Sequence, residues 1–116
     1  MSSKLHPKLT VQFYTDEKCF GPGVAQLLSL VQEHHSLRAA SISMSMAYSK
    51  AWTIIKNAER ELGFALLSST TGGKSGGGAV LTEKAERMLE DYRAYEAALK
   101  SQAETLFAEQ FGWLNK

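Results

Sequence analysis

The sequence is poorest in cysteine, in proline, in long apolar runs and in charge of one sign, and each scarcity excludes something. Cys19 has no second thiol for an internal disulfide, and no neighbour supplies the further ligands of a metal site, so a reducing cytoplasm is the compartment expected. His34 and His35 are adjacent and cannot share a helical face as i, i+4 metal ligands do. The opening Met1 to Pro7 lacks the apolar stretch of a signal peptide, and no run approaches the roughly 20 residues of a membrane span. A soluble chain with no membrane partner is therefore expected. The carboxylate pairs Glu59/Glu61, Glu83/Glu86 and Glu90/Asp91 fall on expected outer helix surface, and no nucleophile is paired with a base, so neither catalysis nor a cofactor is expected.

Against these absences stand 116 residues of which 44% are hydrophobic, enough for one compact domain with a core and an extension. The net charge of +1 names no partner, but residues 36 to 87 hold seven basic side chains against four acidic ones, leaving that segment at +3. A locally basic middle on a mildly acidic remainder suits a protein that turns one face to a polyanion.

Along the chain, Leu9 to Tyr14 alternates as a strand with Leu9, Val11 and Phe13 on one face, and Cys19-Phe20 is its expected partner across a turn at Asp16-Glu17. Pro22 suits the first turn of a helix to about His34, where Val24, Leu27, Leu28 and Val31 follow i, i+3, i+4, i+7. Ser36 is an N-cap for a short helix through Ile42, and a third helix runs from about Met46 to Leu62. Its inner face is Ala51, Ile55, Ala58 and Leu62. Ser49, Lys50, Thr53, Lys56, Asn57 and Arg60 form an outer face without an acidic residue, suited to phosphates and base edges. By angle Trp52 and Tyr48 lie toward the core side, Trp52 as a packing residue and Tyr48, in the first turn, free to reach outward.

Gly63 stops the third helix, and the extended runs Phe64 to Ser69 and Ala79 to Leu81 flank a glycine-rich loop, Thr70 to Gly78. Gly73-Lys74-Ser75 looks like the end of a nucleotide-binding P-loop, but Ser68 stands where that motif needs its first glycine, and a strand rather than a helix follows. The loop reads instead as a hairpin tip where glycines let backbone amides and Lys74 approach a sugar-phosphate backbone. Thr82 caps a long helix from Glu83 to about Phe111, uninterrupted by proline or glycine. Along it Ala85, Tyr92, Leu99 and Leu106 recur every seven residues, with Met88 and Tyr95 three after the first two. The seam weakens at Gln102, so pairing of two such helices is expected mainly through the first half.

Two short helices, a tight connection, a third helix with one polar face and a hairpin directly after it are the parts of a winged helix-turn-helix. The ordered runs Phe20-Gly21-Pro22-Gly23, Tyr48-Ser49-Lys50-Ala51-Trp52 and Thr71 to Thr82 resemble the N-terminal DNA-binding domain of the ModE family of molybdate-responsive transcriptional regulators, over about Leu9 to Leu106. Arg38-Ala39-Ala40 and Glu61-Leu62-Gly63 are similar to the wider LysR-type winged helix. The resemblance implies a mainly α (α+β) fold with an N-terminal β-hairpin, a recognition helix starting near Met46, a wing around Lys74 and a dimer made by the last helix. It also places DNA contacts at Ser45, Tyr48, Ser49, Lys50 and Thr53, to which Lys56 and Lys74 are added as cations. Residues 1–82 would be the DNA-binding domain and 83–116 the dimerisation helix, with Met88, Tyr92, Tyr95, Leu99 and Leu106 at the homodimer interface. ModE-family proteins continue into molybdate-binding domains, whereas this sequence ends at Lys116 without an apparent oxyanion pocket. Either a separate effector-sensing protein does the sensing or the chain is a fragment, and the ending Phe111 to Lys116 favours the former. The contrasting expectation is a protein-interaction module that keeps the fold without binding DNA.

Overall fold

Phe13–Tyr14 (β1) pairs antiparallel with Lys18–Phe20 (β2) in the computed structural model, which describes residues 4–70 and 78–115. The strand is shorter than the alternation from Leu9 predicts. Val11 gives its carbonyl to the Tyr92 hydroxyl at 2.7 Å, so the segment before Phe13 is held against the last helix instead of extending the sheet.

α1 (Pro22–His34) buries Val24, Leu27, Leu28 and Val31 as its period requires, together with Ala25. His35 ends it in the left-handed region, φ 56°, with its N–H donating to the Val31 carbonyl at 2.7 Å. Ser36 then caps α2 (Leu37–Ser43), its hydroxyl accepting the Ala39 amide at 3.0 Å. The chain turns through Met44 to Ala47, with Ser45 also left-handed at φ 55° and the Met46 amide donating to the Ser41 carbonyl at 3.0 Å. α3 (Tyr48–Leu62) therefore starts two residues later than spacing suggests, because Met46 and Ala47 are spent on the turn. Gly63 terminates it at φ 85°, a conformation that a side chain would disfavour by about 1 kcal/mol.

Leu67–Thr70 (β3) and Gly78–Leu81 (β4) form the second hairpin, with Leu67 opposite Leu81 and Thr70 opposite Gly78. Its root is fixed to the body, since the Ala79 amide donates to the His35 carbonyl at 3.0 Å. A Cβ on Gly78 would stand 2.9 Å from that same carbonyl, so only glycine fits there. Thr82 accepts the Ala85 amide at 3.1 Å to open α4 (Glu83–Phe111), and also donates to the Ala65 carbonyl at 2.7 Å.

The core gathers Phe20 and α1 with Ile55, Ala58, Leu66, Leu81, Ala85, Leu89 and Tyr92. The start of α4 thus packs into the same core as α1 and α3, and no packing boundary falls between residues 82 and 83. Tyr92 is 1% exposed, edge-on to Phe13 and Phe20 at ring separations of 5.5 and 5.0 Å. It is a core residue of the single chain, which corrects its expected place at a dimer interface: a ring 1% exposed and enclosed by the N-terminal hairpin has almost no surface left for a partner. Beyond Tyr92 no α4 residue is buried, and the helix projects. The radius of gyration, 17.8 Å, exceeds the roughly 13 Å of a globular chain this long for that reason.

Candidate nucleic-acid interface

Burial of Ala51, Ile55 and Ala58 rolls α3 so that Tyr48, Ser49, Lys50, Thr53, Lys56 and Asn57 all face outward. Ser45 is exposed in the turn just before them. Tyr48, Ser49, Lys50, Thr53 and Lys56, all expected to touch DNA, therefore share one surface of the second helix of a helix-turn-helix. The Thr53 hydroxyl donates to the Ser49 carbonyl at 2.9 Å, a bond within the helix that fixes its rotamer. Lys50 has no ion-pair partner among the described residues. Lys74 lies outside the described residues.

Lys56 is committed differently. Its ammonium lies 3.2 Å from Glu59 and 5.5 Å above the Trp52 ring. Glu59 in turn accepts the Leu66 amide at 2.7 Å and the Leu67 amide at 3.4 Å, tying the second hairpin to α3. Burial pushes the Glu59 carboxyl up, but the Leu66 amide, Lys56 and the Leu67 amide together outweigh it and hold its pKa below the ordinary value.

Trp52 departs from expectation. It is 48% exposed and not a core residue. It sits to one side of the Ala51-Ile55-Ala58 stripe, at the edge facing the second hairpin, where an open cleft of about 420 Å³ separates the two elements. Arg38, Tyr48, Trp52, Lys56, Ser69 and Gly78 line this cleft. The Arg38 guanidinium, exposed in the first turn of α2, lies 4.4 Å over the Tyr48 ring. Spacing does not reveal that contact, because the two residues lie on different helices. The available signal is a cation in the first turn of the helix preceding α3.

On α4, Met88 and Leu99 are half-buried, while Tyr95 and Leu106 are 49% and 59% exposed. The Phe107 and Phe111 rings lie 5.4 Å apart, and Phe111, Trp113 and Leu114 are exposed there. The apolar surface thus grows toward the C-terminal end of α4, the reverse of the weighting that the interruption at Gln102 suggests, because the first half is occupied by its own core.

Helices in this order, a hairpin joined to the recognition helix and an acid-free outer face from Tyr48 to Asn57 define a winged helix-turn-helix. Residues 25–86 match the family described as bacterial regulatory helix-turn-helix protein, lysR family, and the chain belongs to it. That is a family of regulators rather than enzymes. The chain is 33% identical over 73 residues to the molybdenum-pterin-binding protein MopB of Rhodobacter capsulatus, covering 63% of this chain and 27% of that protein. It is 35% identical over 75 residues to the transcriptional regulator ModE of Haemophilus influenzae, covering 65% and 29%. With the molybdenum transport protein ModE of Herbaspirillum seropedicae it shares 30% over 90 residues, 78% and 32%. The domain is thus of the ModE type, and the chain spans less than a third of the length of these relatives. No helix among the described residues is long and apolar enough to cross a membrane.

Proposed function

We propose that the chain binds double-stranded DNA sequence-specifically as a homodimer on a roughly palindromic site, and acts in the cytoplasm as a transcriptional regulator of the ModE/LysR-like type. The observation that carries this is the outer face of α3, where Tyr48, Ser49, Lys50 and Thr53 are exposed together with no carboxylate among them. Lys50 and Lys74 supply sequence-blind attraction to phosphates, with Lys56 contributing less because Glu59 already neutralises it. Tyr48, Ser49 and Thr53 read base edges or thymine methyls, and Ser45 lies close enough to the helix start to join them. Residues 83–116 act as the dimerisation segment, with Met88 at the rim of the core and, beyond the turns that complete the core, Tyr95, Leu99 and Leu106 along the shared seam. Two-fold pairing of this kind sets two recognition helices in successive major grooves, which is the origin of the palindrome. Any effector is sensed by a separate protein or by a further domain.

Fluorescence anisotropy against random and selected duplexes at several salt concentrations tests the reading, with sedimentation to count copies. Affinity that falls steeply with salt yet is orders of magnitude tighter for one palindrome is the expected result. A well-folded dimer that binds no duplex even at low salt would instead mark a protein-interaction module.

A further inference from the structure

We propose that the cleft between α3 and the β3–β4 hairpin seats one phosphodiester of the DNA strand lying across it, with Arg38 as its cation and Trp52 packed on the adjoining deoxyribose. This rests on the DNA-binding reading and assigns two residues to it that lie outside the outer face of α3.

Arg38 is the unspent charge of the cleft. Lys56, the other cation lining it, is paired with Glu59 at 3.2 Å, and Glu59 is held in turn by the Leu66 and Leu67 amides. Arg38 has no carboxylate partner among the described residues, and its guanidinium lies over the Tyr48 ring at 4.4 Å. Stacking occupies the face of the guanidinium and leaves its edge of N–H donors free, the geometry that grips a phosphate in two places at once. Because the ring pre-orients it, less side-chain freedom is given up when the phosphate arrives.

Trp52 supplies what a charge alone cannot. An indole left 48% exposed on a helix where Ile55 is buried and Ile54 and Leu62 are half-buried gives up hydrophobic free energy unless something covers it. The far wall, formed by Leu67, Ser69, Gly78 and Ala79, offers the exposed Ser69 hydroxyl as a donor. An apolar plate beside a flat cation, faced by a hydroxyl donor across the cleft, fits the alternation of sugar and phosphate along one strand.

The test uses anisotropy titrations of the full chain and its R38A, R38K, W52A and W52F variants, over a range of salt, on a selected and a random duplex. A second selected duplex carries a neutral methylphosphonate at single backbone positions in turn. Both side chains are exposed, so melting temperatures should stay at the parent value. R38A should weaken binding about tenfold on both duplexes, and lower the salt slope by about 0.9 for each phosphate that is no longer neutralised. R38K should keep the slope while recovering only part of the affinity. W52A should weaken binding about fivefold with an unchanged slope, because an apolar surface and no charge is removed, and W52F should restore most of it. One methylphosphonate position should reproduce the R38A effect in the parent and cost the R38A variant nothing. A parent that binds while R38A and W52A match it in affinity and slope overturns the cleft assignment alone. So does a W52A variant with altered sequence preference, which would make Trp52 a reader of bases. A parent that binds no duplex at any salt overturns the DNA-binding reading, and this inference with it.

Discussion

The two halves of α4 carry the same kind of seven-residue repeat and meet different surroundings. From Glu83 to Tyr92 the helix is enclosed: Ala85, Leu89 and Tyr92 are buried, and Thr82 fixes its first turn to Ala65. From Arg93 to Phe111 no residue is buried, and the ties are surface ones, such as Arg93 to Glu96 at 3.5 Å and to the Ser29 hydroxyl at 3.2 Å. A heptad therefore says that a helix has an apolar seam, not whose atoms fill it. In the first half those atoms belong to the hairpin and α1 of the same chain, and in the second half the seam stays exposed.

The sharpest way to break this contrast is at Tyr92. Tyr92→Ala should cost about 3–5 kcal/mol of folding stability, through removal of a buried ring and the cavity left behind. Urea unfolding followed by circular dichroism should give that value independent of protein concentration. A small effect that grows on dilution would move Tyr92 back to an interface between copies.

Next in size is the latch under the start of α4. The Thr82 amide donates to the Leu66 carbonyl at 3.0 Å, and the Leu66 amide is held by Glu59, so Glu59→Gln should destabilise the fold by about 1–2 kcal/mol. The same carboxylate predicts an acid dependence. Its folded pKa is depressed, so its contribution is fully present above its ordinary value of 4.5 and is lost as pH falls below that, through the lower folded value. Melting profiles between about pH 3 and pH 6 should therefore fall more steeply for the parent than for the Gln variant; parallel profiles would contradict the latch.

Tyr92→Phe should cost about 1 kcal/mol, the hydroxyl bond to Val11 alone. Hydrogen exchange should speed up in residues 9–12 and not in residues 93–111. The smallest effect on folding belongs to the open half: Leu106→Asp should change the stability of dilute protein by less than about 0.5 kcal/mol, yet abolish association in sedimentation runs. Unchanged association would remove Leu106 from the proposed seam.

Local chemistry makes most elements legible in the sequence. Pro22, the Ser36 cap, Gly63 and Thr82 each mark a boundary that neighbouring residues alone decide, and the structure has a boundary at every one of them. What escapes the sequence depends on distant partners. The strand from Leu9 is reduced to Phe13–Tyr14 because Tyr92, far along the chain, takes the Val11 carbonyl. Helical angle assigns Trp52 to the core, but its edge of α3 faces a gap between elements, which no periodicity can report. Of the candidate site, the outer face of α3 is readable from polarity, while the pairing of Lys56 with Glu59 and the stacking of Arg38 on Tyr48 require the fold.

The length of α4 has a consequence for the geometry of the proposed operator. At about 1.5 Å per residue the segment from Arg93 to Phe111 extends roughly 28 Å past the last buried turn, so it behaves as a graduated ruler. In the proposed dimer, each heptad by which the meeting point moves along one helix shifts that copy's α3 by about 10 Å, or some three base pairs. The half-site spacing that such a pair accepts would therefore measure where along the helix the copies join.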